Sequence, residues 1–155
     1  MNGLYFLGIV TLAILTLGVN SQCYLRSGLT SAQKAELLRR HNELRNRVAS
    51  GQQTGQPSAA NIQEMIWDDS LGTLAQNYAN TCPGNHNPNR NGAGENLYWA
   101  MSSRQSSEID LTAGVQSWYD EVSLFSSSSI SPFQFSSGIG HYTQVVWATS
   151  NKLGK

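Results

Sequence analysis

The first part of the chain with a clear helical pattern follows Thr30. Thr30 and Gln33 have the spacing of a capping box, in which each side chain satisfies a backbone N–H of the first turn. The apolar stripe that follows ends before Gly51 and consists of Leu37, Leu38, His41, Leu44 and Val48. These positions predict a first helix with one buried face, and they place His41 on that face as a packing residue rather than a ligand.

Two later segments repeat the helical spacing. The first is capped by Asp68 or Asp69 and stopped by Pro83. Its apolar stripe is Leu71, Leu74, Ala75, Tyr78, Ala79 and Cys82. The second is capped by Asp110, and its stripe is Leu111, Val115, Trp118 and Val122. We expect two more helices with one face in the core, a short helical piece around residues 95–101, and irregular loops over residues 82–94 and 123–140.

The run that begins at His141 is apolar on both sides at a period of two. One side holds His141, Thr143, Val145 and Trp147, and the other holds Tyr142, Gln144, Val146 and Ala148. A strand of this kind lies inside a sheet that helices cover on both faces. The pattern therefore predicts an inner strand with His141 at its start.

Residues 140–149 (GHYTQVVWAT) resemble the first signature of the CAP superfamily of cysteine-rich secretory, antigen 5 and pathogenesis-related proteins. Other landmarks of that family follow its order, at residues 41–45 (HNELR), 67–71 (WDDSL), 94–97 (GENL) and 118–121 (WYDE). The resemblance covers residues 29–154 and is closest to the venom-allergen-like, activation-associated secreted proteins of nematodes. It implies an α+β fold, a three-layer α-β-α sandwich of CAP type.

The family domain continues with a further central strand after the segment at which this chain stops. We therefore expect the sandwich to be incomplete at its C-terminus. The missing strand is expected to leave one edge of an inner strand and its apolar neighbours uncovered.

The same resemblance implies that His86, Glu95, Glu121 and His141 line one central cleft. Two imidazoles and two carboxylates suit a divalent cation, and zinc is the first to test. His86 and His141 are the expected ligands, while Glu95 and Glu121 are either ligands or carboxylates that orient the histidines. The alternative is a hydrogen-bonded network that only holds a loop, a helix and a strand together.

For function, the resemblance implies a secreted, non-enzymatic interaction protein that binds a divalent cation, a lipid or sterol, or a host protein through the cleft. The chain has neither a His-Glu-x-x-His nor a Gly-x-Ser-x-Gly motif, so no activated nucleophile is evident. Two alternatives stay open. One is a zinc-dependent hydrolase with Glu95 or Glu121 as general base, and the other is a non-functional truncated product.

The N-terminal segment indicates the compartment. Residues 4–19 are almost wholly apolar and uncharged, and small side chains follow them. We expect residues 1–21 to be a secretory signal peptide and residues 22–155 to be the CAP domain. The alternative is an uncleaved signal anchor, because no Lys or Arg precedes the apolar stretch. The stretch is shorter than the ~20 residues that span a bilayer, which favours cleavage, and no stable membrane anchoring is expected after it.

Charge and cysteine content add two expectations. The ten basic and ten acidic side chains are not gathered in a block, which argues against nucleic-acid binding. In the oxidising extracellular compartment, Cys23 and Cys82 are candidates for a disulfide. The resemblance also allows Cys82 a different partner, because relatives carry further cysteines downstream.

Overall fold

A parallel sheet lies at the centre of the fold. The computed structural model describes residues 28–100 and 110–155 completely, and residues 7–15 and 101 through their backbone. The strands are β1 (Leu7–Leu15), β2 (Ile66–Trp67), β3 (Ala93–Met101) and β4 (Lys152–Gly154), in the spatial order β2-β4-β1-β3. The helices are α1 (Ser31–Ala49), α2 (Asp69–Ala79), α3 (Thr112–Asp120) and α4 (Gly140–Val145), with 3-10 turns at Glu121–Leu124 and Ser127–Ser129.

Helices cover both faces of this sheet. On one face α1, α3 and α4 pack together over the larger core, whose centre includes Leu37, Leu44, Val115, Trp118 and Tyr142. On the other face α2 packs against β1 and β4 and buries a smaller core of Leu71, Ala75 and Ala93. The result is the expected three-layer α-β-α arrangement with a small sheet.

Local capping explains where the first two helices begin. The Thr30 hydroxyl accepts from the Gln33 backbone N–H, and the Gln33 side chain accepts from the Thr30 N–H at 2.8 Å, which confirms the capping box. Asp68 is the cap of α2, because its carboxylate accepts from the Leu71 N–H at 3.0 Å. The helix ends at Ala79, so the prediction that Cys82 continues its apolar stripe is wrong. Cys82 is exposed and has a positive φ of 52°.

The inner strand expected at His141 is a helix, α4. Its buried side chains are Tyr142, Thr143 and Val145, and so the buried residues do not alternate as they would in a strand. A short run that is apolar on both sides is compatible with either structure from its periodicity alone. The prediction failed because the apolar side chains of this run are buried by packing against α1 and α3. They are not buried by helices on the two faces of a strand.

The short helical piece expected around residues 95–101 is also wrong. These residues belong to β3, which pairs with β1 in parallel register from Leu7–Ala93 to Leu15–Met101. Strand pairing between residues so distant in sequence leaves no local signal, and aromatic residues such as Tyr98 and Trp99 favour strands over helices.

The segment predicted to be a signal peptide contributes β1, the strand between β3 and β4. Its position is therefore an inner one, with a hydrogen-bonded neighbour on each side. None of the helices in the described ranges is long and apolar enough to cross a membrane.

One buried cation ties α1 to the chain around α4. The Arg45 guanidinium is almost inaccessible and donates to the carbonyl oxygens of Val145 at 2.8 Å, Trp147 at 3.0 Å and Ser150 at 2.9 Å. Its Nε also donates to the Gln63 carbonyl at 3.0 Å. Burial lowers the pKa of Arg45 to about 10, so the side chain stays charged at neutral pH and donates to four carbonyl groups, of which those of Val145 and Ser150 accept buried hydrogen bonds.

Candidate functional site

The first histidine–carboxylate pair joins the loop after α2 to β3. His86 Nδ1 lies 2.8 Å from Glu95 Oε1, and the same oxygen accepts from the Asn87 backbone N–H at 2.8 Å. The Glu95 side chain is fully buried, whereas about half of the His86 side chain is exposed. Glu95 Oε2 is buried and has no hydrogen-bond partner, which leaves one carboxylate oxygen with unused acceptor capacity.

The second pair joins the turn after α3 to the start of α4. His141 Nδ1 lies 2.6 Å from Glu121 Oε1. The other oxygen, Oε2, accepts from the backbone N–H groups of His141 at 2.9 Å and Tyr142 at 3.1 Å. These groups belong to the first turn of α4, which has no side-chain cap of its own. Glu121 therefore both orients the imidazole and caps the helix that carries it.

The Gly-Glu-Asn motif of β3 connects the two pairs. Asn96 donates its side-chain N–H to the His141 carbonyl at 3.0 Å, while its neighbour Glu95 holds His86. Gly94 lies under the Gln144 side chain, and a Cβ at Gly94 would clash with the Gln144 amide group. Asn96 and Gly94 were not singled out as site residues from the sequence, although the motif that contains them was.

Trp118 separates His41 from His141. Its ring stacks on the His141 ring with centroids 6.3 Å apart, and the His41 and Tyr98 rings each lie 6.5 Å from it. The indole N–H donates to the Leu97 carbonyl of β3 at 3.0 Å, which fixes the ring. His41 is buried on α1, with Nδ1 2.8 Å from the Leu37 carbonyl, while its buried Nε2 has no hydrogen-bond partner in the structure. The prediction that His41 packs in the core is confirmed.

Acidification is expected to destabilise the protein through His41. Burial lowers the pKa of His41 to about 4, while an unfolded histidine has a pKa of ~6.5. Between these values the unfolded chain binds a proton that the folded chain does not, so stability falls as the pH falls. At ~1.4 kcal/mol per pH unit the loss amounts to about 3 kcal/mol. Urea unfolding between pH 7 and pH 4 measures it.

The matched variant for this measurement is His41→Gln, which cannot titrate. Its free energy of unfolding should fall less than that of the wild type over the same pH range. Nearby Lys155 is also buried, and burial lowers its pKa to about 7. Its effect therefore falls between pH 7 and an unfolded value of ~10.4, above the His41 window. Equal pH slopes in the two proteins would contradict the assignment to His41.

The four predicted site residues form two separate pairs. Each imidazole is bound through Nδ1 to one carboxylate, and neither Nε2 atom has a protein partner among the described residues. In the part of the chain that the structure describes, no three His, Cys, Asp or Glu side chains are grouped so that they could hold a metal ion. The carboxylates of these pairs are thus suited to orienting the imidazoles. A cation bound there would have fewer than three protein ligands from these residue types.

A large apolar groove, which the sequence did not predict, includes Tyr142 and Thr143 next to His141 in its lining. Its volume is about 810 Å³, within the ~300–1,000 Å³ typical of ligand sites. The end of α1, the loop of residues 56–62, the segment after α3 and the end of α4 all contribute to its wall. Prominent lining side chains are Val48, Ile62, Phe125, Phe133, Tyr142 and Val146. These residues come from distant parts of the sequence, so no local pattern marks them as one surface.

Cys82 lies at the end of the segment that leads into the His86 loop. It is not a free thiol in this structure. Its candidate partner, Cys23, falls outside the described residues. The pairing of Cys23 with Cys82 therefore stays a prediction.

Comparison with known proteins identifies the family from which this arrangement comes. The profile of the cysteine-rich secretory protein family, CAP, matches residues 38–154, the range that holds both histidine–carboxylate pairs. The chain belongs to the CAP family. The solved structure of Na-ASP-1 has a TM-score of 0.62 over 87% of this chain and 37% of its own, at 24% identity. That likeness supports the CAP fold.

Venom proteins are among the similar sequences. CRISP/Allergen/PR-1 of Trittame loki is 42% identical over 87% of this chain and 36% of its own length. Venom allergen 5 of Rhynchium brunneum is 40% identical over 83% of this chain and 60% of its own. Venom allergen 3 of Solenopsis invicta is 38% identical, with 84% and 61% covered. The aligned region thus spans between about a third and three fifths of these relatives.

Proposed function

We propose that this CAP-domain protein is secreted and acts by binding ligands rather than by catalysis. The observation that carries the proposal is the engagement of both carboxylates. Glu121 accepts three hydrogen bonds, from His141 Nδ1 and two backbone N–H groups, and Glu95 Oε1 accepts two. Carboxylates that accept this many hydrogen bonds hold the imidazoles and the backbone around them in place. Residues 1–21 are the proposed signal peptide, and the similarity to venom allergens supports secretion.

Zinc is the proposed cation, with His86 and His141 as its ligands. Zinc-binding histidines usually bind a carboxylate through the second ring nitrogen, which orients the ring, and both imidazoles have that partner here. Glu95 Oε2 also supports the proposal, because a buried carboxylate oxygen without a hydrogen-bond partner favours a positively charged group beside it. Because only two imidazoles are offered, the proposed site is open and weaker than a closed four-ligand site.

Replacing either His86 or His141 by Ala should abolish zinc binding measured by titration calorimetry. Glu95→Gln should weaken it by roughly 10–100-fold, the usual effect of losing a carboxylate that orients a ligand. Binding should also weaken on acidification, since only neutral imidazoles coordinate zinc. His41→Ala is the control, because it changes packing while zinc affinity in the folded fraction stays the same. Zinc binding by the His86→Ala/His141→Ala double variant would refute the site.

The alternative is a zinc-dependent hydrolase. Its proposed general base is Glu95 rather than Glu121, because Glu95 Oε2 accepts no hydrogen bond and is available to take a proton. Hydrolysis of ester or peptide substrates that needs zinc and is lost in Glu95→Gln, while zinc stays bound, would support this alternative. Zinc binding without any turnover supports the binding protein.

A lipid hydrocarbon chain is the proposed ligand of the apolar groove. The groove walls are mainly aromatic and aliphatic, and in the described part of the chain none of the four cleft residues is among the lining side chains. This proposal places the lipid beside the His/Glu cleft instead of inside it. Apolar walls with few polar groups suit an extended hydrocarbon, whose burial is favourable in proportion to its area.

Ala148→Trp should lower the affinity for dansyl-undecanoic acid by about tenfold or more, since it places an indole in the groove that Ala148 lines. Fluorescence titration of the dansyl group measures the affinity. Ala79→Trp, at the end of α2 and away from the groove, is the matched control and should bind as the wild type does. Unchanged affinity in Ala148→Trp would show that the probe binds elsewhere.

A further inference from the structure

The segment between α3 and α4 presents an unusual surface. Residues 122–138, called here the apolar loop, contain no charged side chain. Among the described residues six large apolar side chains are exposed, and four of them lie in this loop: Leu124, Ile130, Phe133 and Phe135. Leu124 and Phe135 are the most exposed, at 67% and 69%. Such a concentration is more than the scattered apolar exposure that any soluble protein shows.

Hydrogen bonds fix the backbone of the apolar loop. Gln56 donates its side-chain N–H to the Phe125 carbonyl at 2.9 Å, which ties the loop to the other wall of the groove. Within the loop, the Gln134 N–H donates to the Ser129 carbonyl at 2.9 Å, and Ser126 caps the short 3-10 turn. The exposed side chains are therefore held out by a defined structure.

Two of these four side chains also line the apolar groove. Ile130 and Phe133 face each other across a β-bridge and both line the groove. Phe133 packs edge-on against Trp147 with ring centroids 5.4 Å apart. Leu124 and Phe135 line no part of the groove and lie against the glycine-rich turn that leads into α4, each 3.4 Å from where a glycine Cβ would be.

We infer that the apolar loop docks this protein onto the surface of a zwitterionic phospholipid bilayer. Aromatic and aliphatic side chains on a scaffold enter the boundary between headgroups and acyl chains, and serine hydroxyls stay at the headgroups. The loop offers no charge to a protein partner or an anionic lipid, and the chain as a whole has ten basic and ten acidic residues. The apolar loop is continuous with the apolar groove, so a bilayer bound at this face lies next to the proposed site for a hydrocarbon chain.

The inference goes beyond the proposed function, because docking needs no lipid in the groove and no zinc in the cleft. The two can therefore fail separately. The groove-filling variant Ala148→Trp should lose the fatty-acid probe and still bind vesicles.

Flotation of the full chain with phosphatidylcholine vesicles tests the inference. We expect the wild type to float with the vesicles, equally well in 0.1 M and 0.5 M NaCl and with or without phosphatidylserine. Leu124→Ser and Phe135→Ser should each lower the partition coefficient by about tenfold, the effect of losing one exposed apolar side chain from the interface. Thermal unfolding of each variant shows that the fold is retained.

Ile66→Ser is the matched control, since Ile66 is also highly exposed, at 60%, but lies on β2 outside the loop. It should float as the wild type does. Failure of the wild type to float, loop variants that float normally, or binding that needs phosphatidylserine and disappears in salt would each overturn the inference.

Discussion

Removal of residues 1–21 is expected to lower the free energy of unfolding by about 5 kcal/mol or more, which can exhaust the ~5–15 kcal/mol of a typical domain. The removed segment includes β1, which pairs along nine residues with β3 and also with β4. Its loss leaves two strand edges open and removes a strand against which α2 packs. Denaturant unfolding of residues 22–155 beside residues 1–155 measures the difference.

Two variants separate the strand from the mere length of the chain. A chain that lacks only residues 1–6 keeps β1 and should be as stable as the whole. Thr11→Pro, opposite Leu97 in the register, keeps the length and should destabilise strongly, because an inner strand has no place for a missing N–H. A cooperative transition of residues 22–155 at the wild-type midpoint would contradict a structural role for β1.

This result bears on secretion, because the same residues cannot be both a cleaved signal peptide and an inner strand of the mature protein. Mass spectrometry of the secreted protein identifies its first residue. A mature chain that starts at Gln22 supports the proposed signal peptide and predicts an open position between β3 and β4. Recovery of secreted chains that still contain β1 would refute cleavage at this point.

Arg45→Met is expected to lower the free energy of unfolding by about 4 kcal/mol or more. Each hydrogen bond to a charged group contributes ~1.5–3 kcal/mol, and its loss leaves a carbonyl group without a partner. Arg45 donates to four carbonyl groups that lie after α1 and at the end of α4. Methionine fills a similar volume but satisfies none of them. A shift of the urea midpoint at constant m-value measures the loss.

Arg47→Met is the matched control on the same helix. Arg47 is exposed and its guanidinium lies 5.9 Å from the Tyr119 ring, so its loss should cost only ~0.5–1 kcal/mol. Arg45→Lys keeps the charge but cannot reach all four carbonyls, and it should fall between the two. Equal midpoints for Arg45→Met and Arg47→Met would show that the buried cation does not hold the fold together.

The starts of α1 and α2 were predictable because their caps are local. Thr30 and Gln33, or Asp68 and Leu71, are three residues apart, and their hydrogen bonds form as soon as the helix does. The prediction that Asp110 caps α3 is wrong, since Leu111 holds the cap position; the Asp110 carboxylate accepts from the Thr112 N–H at 2.8 Å from one residue further back. The start of α4 is capped by Glu121, twenty residues earlier in the chain. No local pattern contains that information, so the apolar run after Gly140 was assigned to a strand.

The candidate site shows the same division. The family motifs indicated His86, Glu95, Glu121 and His141 as residues, and the structure shows how they pair. The pairing of Glu95 with His86 depends on which loop packs against β3. The pairing of Glu121 with His141 depends on which turn packs against α4. The sequence also placed His41 on the packed face of α1, since helical spacing alone decides which face is buried.

By itself, the sequence determined the caps of α1 and α2, the apolar faces of α1, α2 and α3, the CAP family and the residues of the candidate site. These depend on side chains within about one helical turn, or on motifs whose order the family keeps. Only the tertiary structure decided that residues 140–145 are helical, that Leu7–Leu15 lies between β3 and β4, and that an apolar groove forms between the end of α1, residues 56–62 and the end of α4. Each of these depends on burial and hydrogen bonding between segments far apart in the chain, whose free energy exists only after the layers have packed.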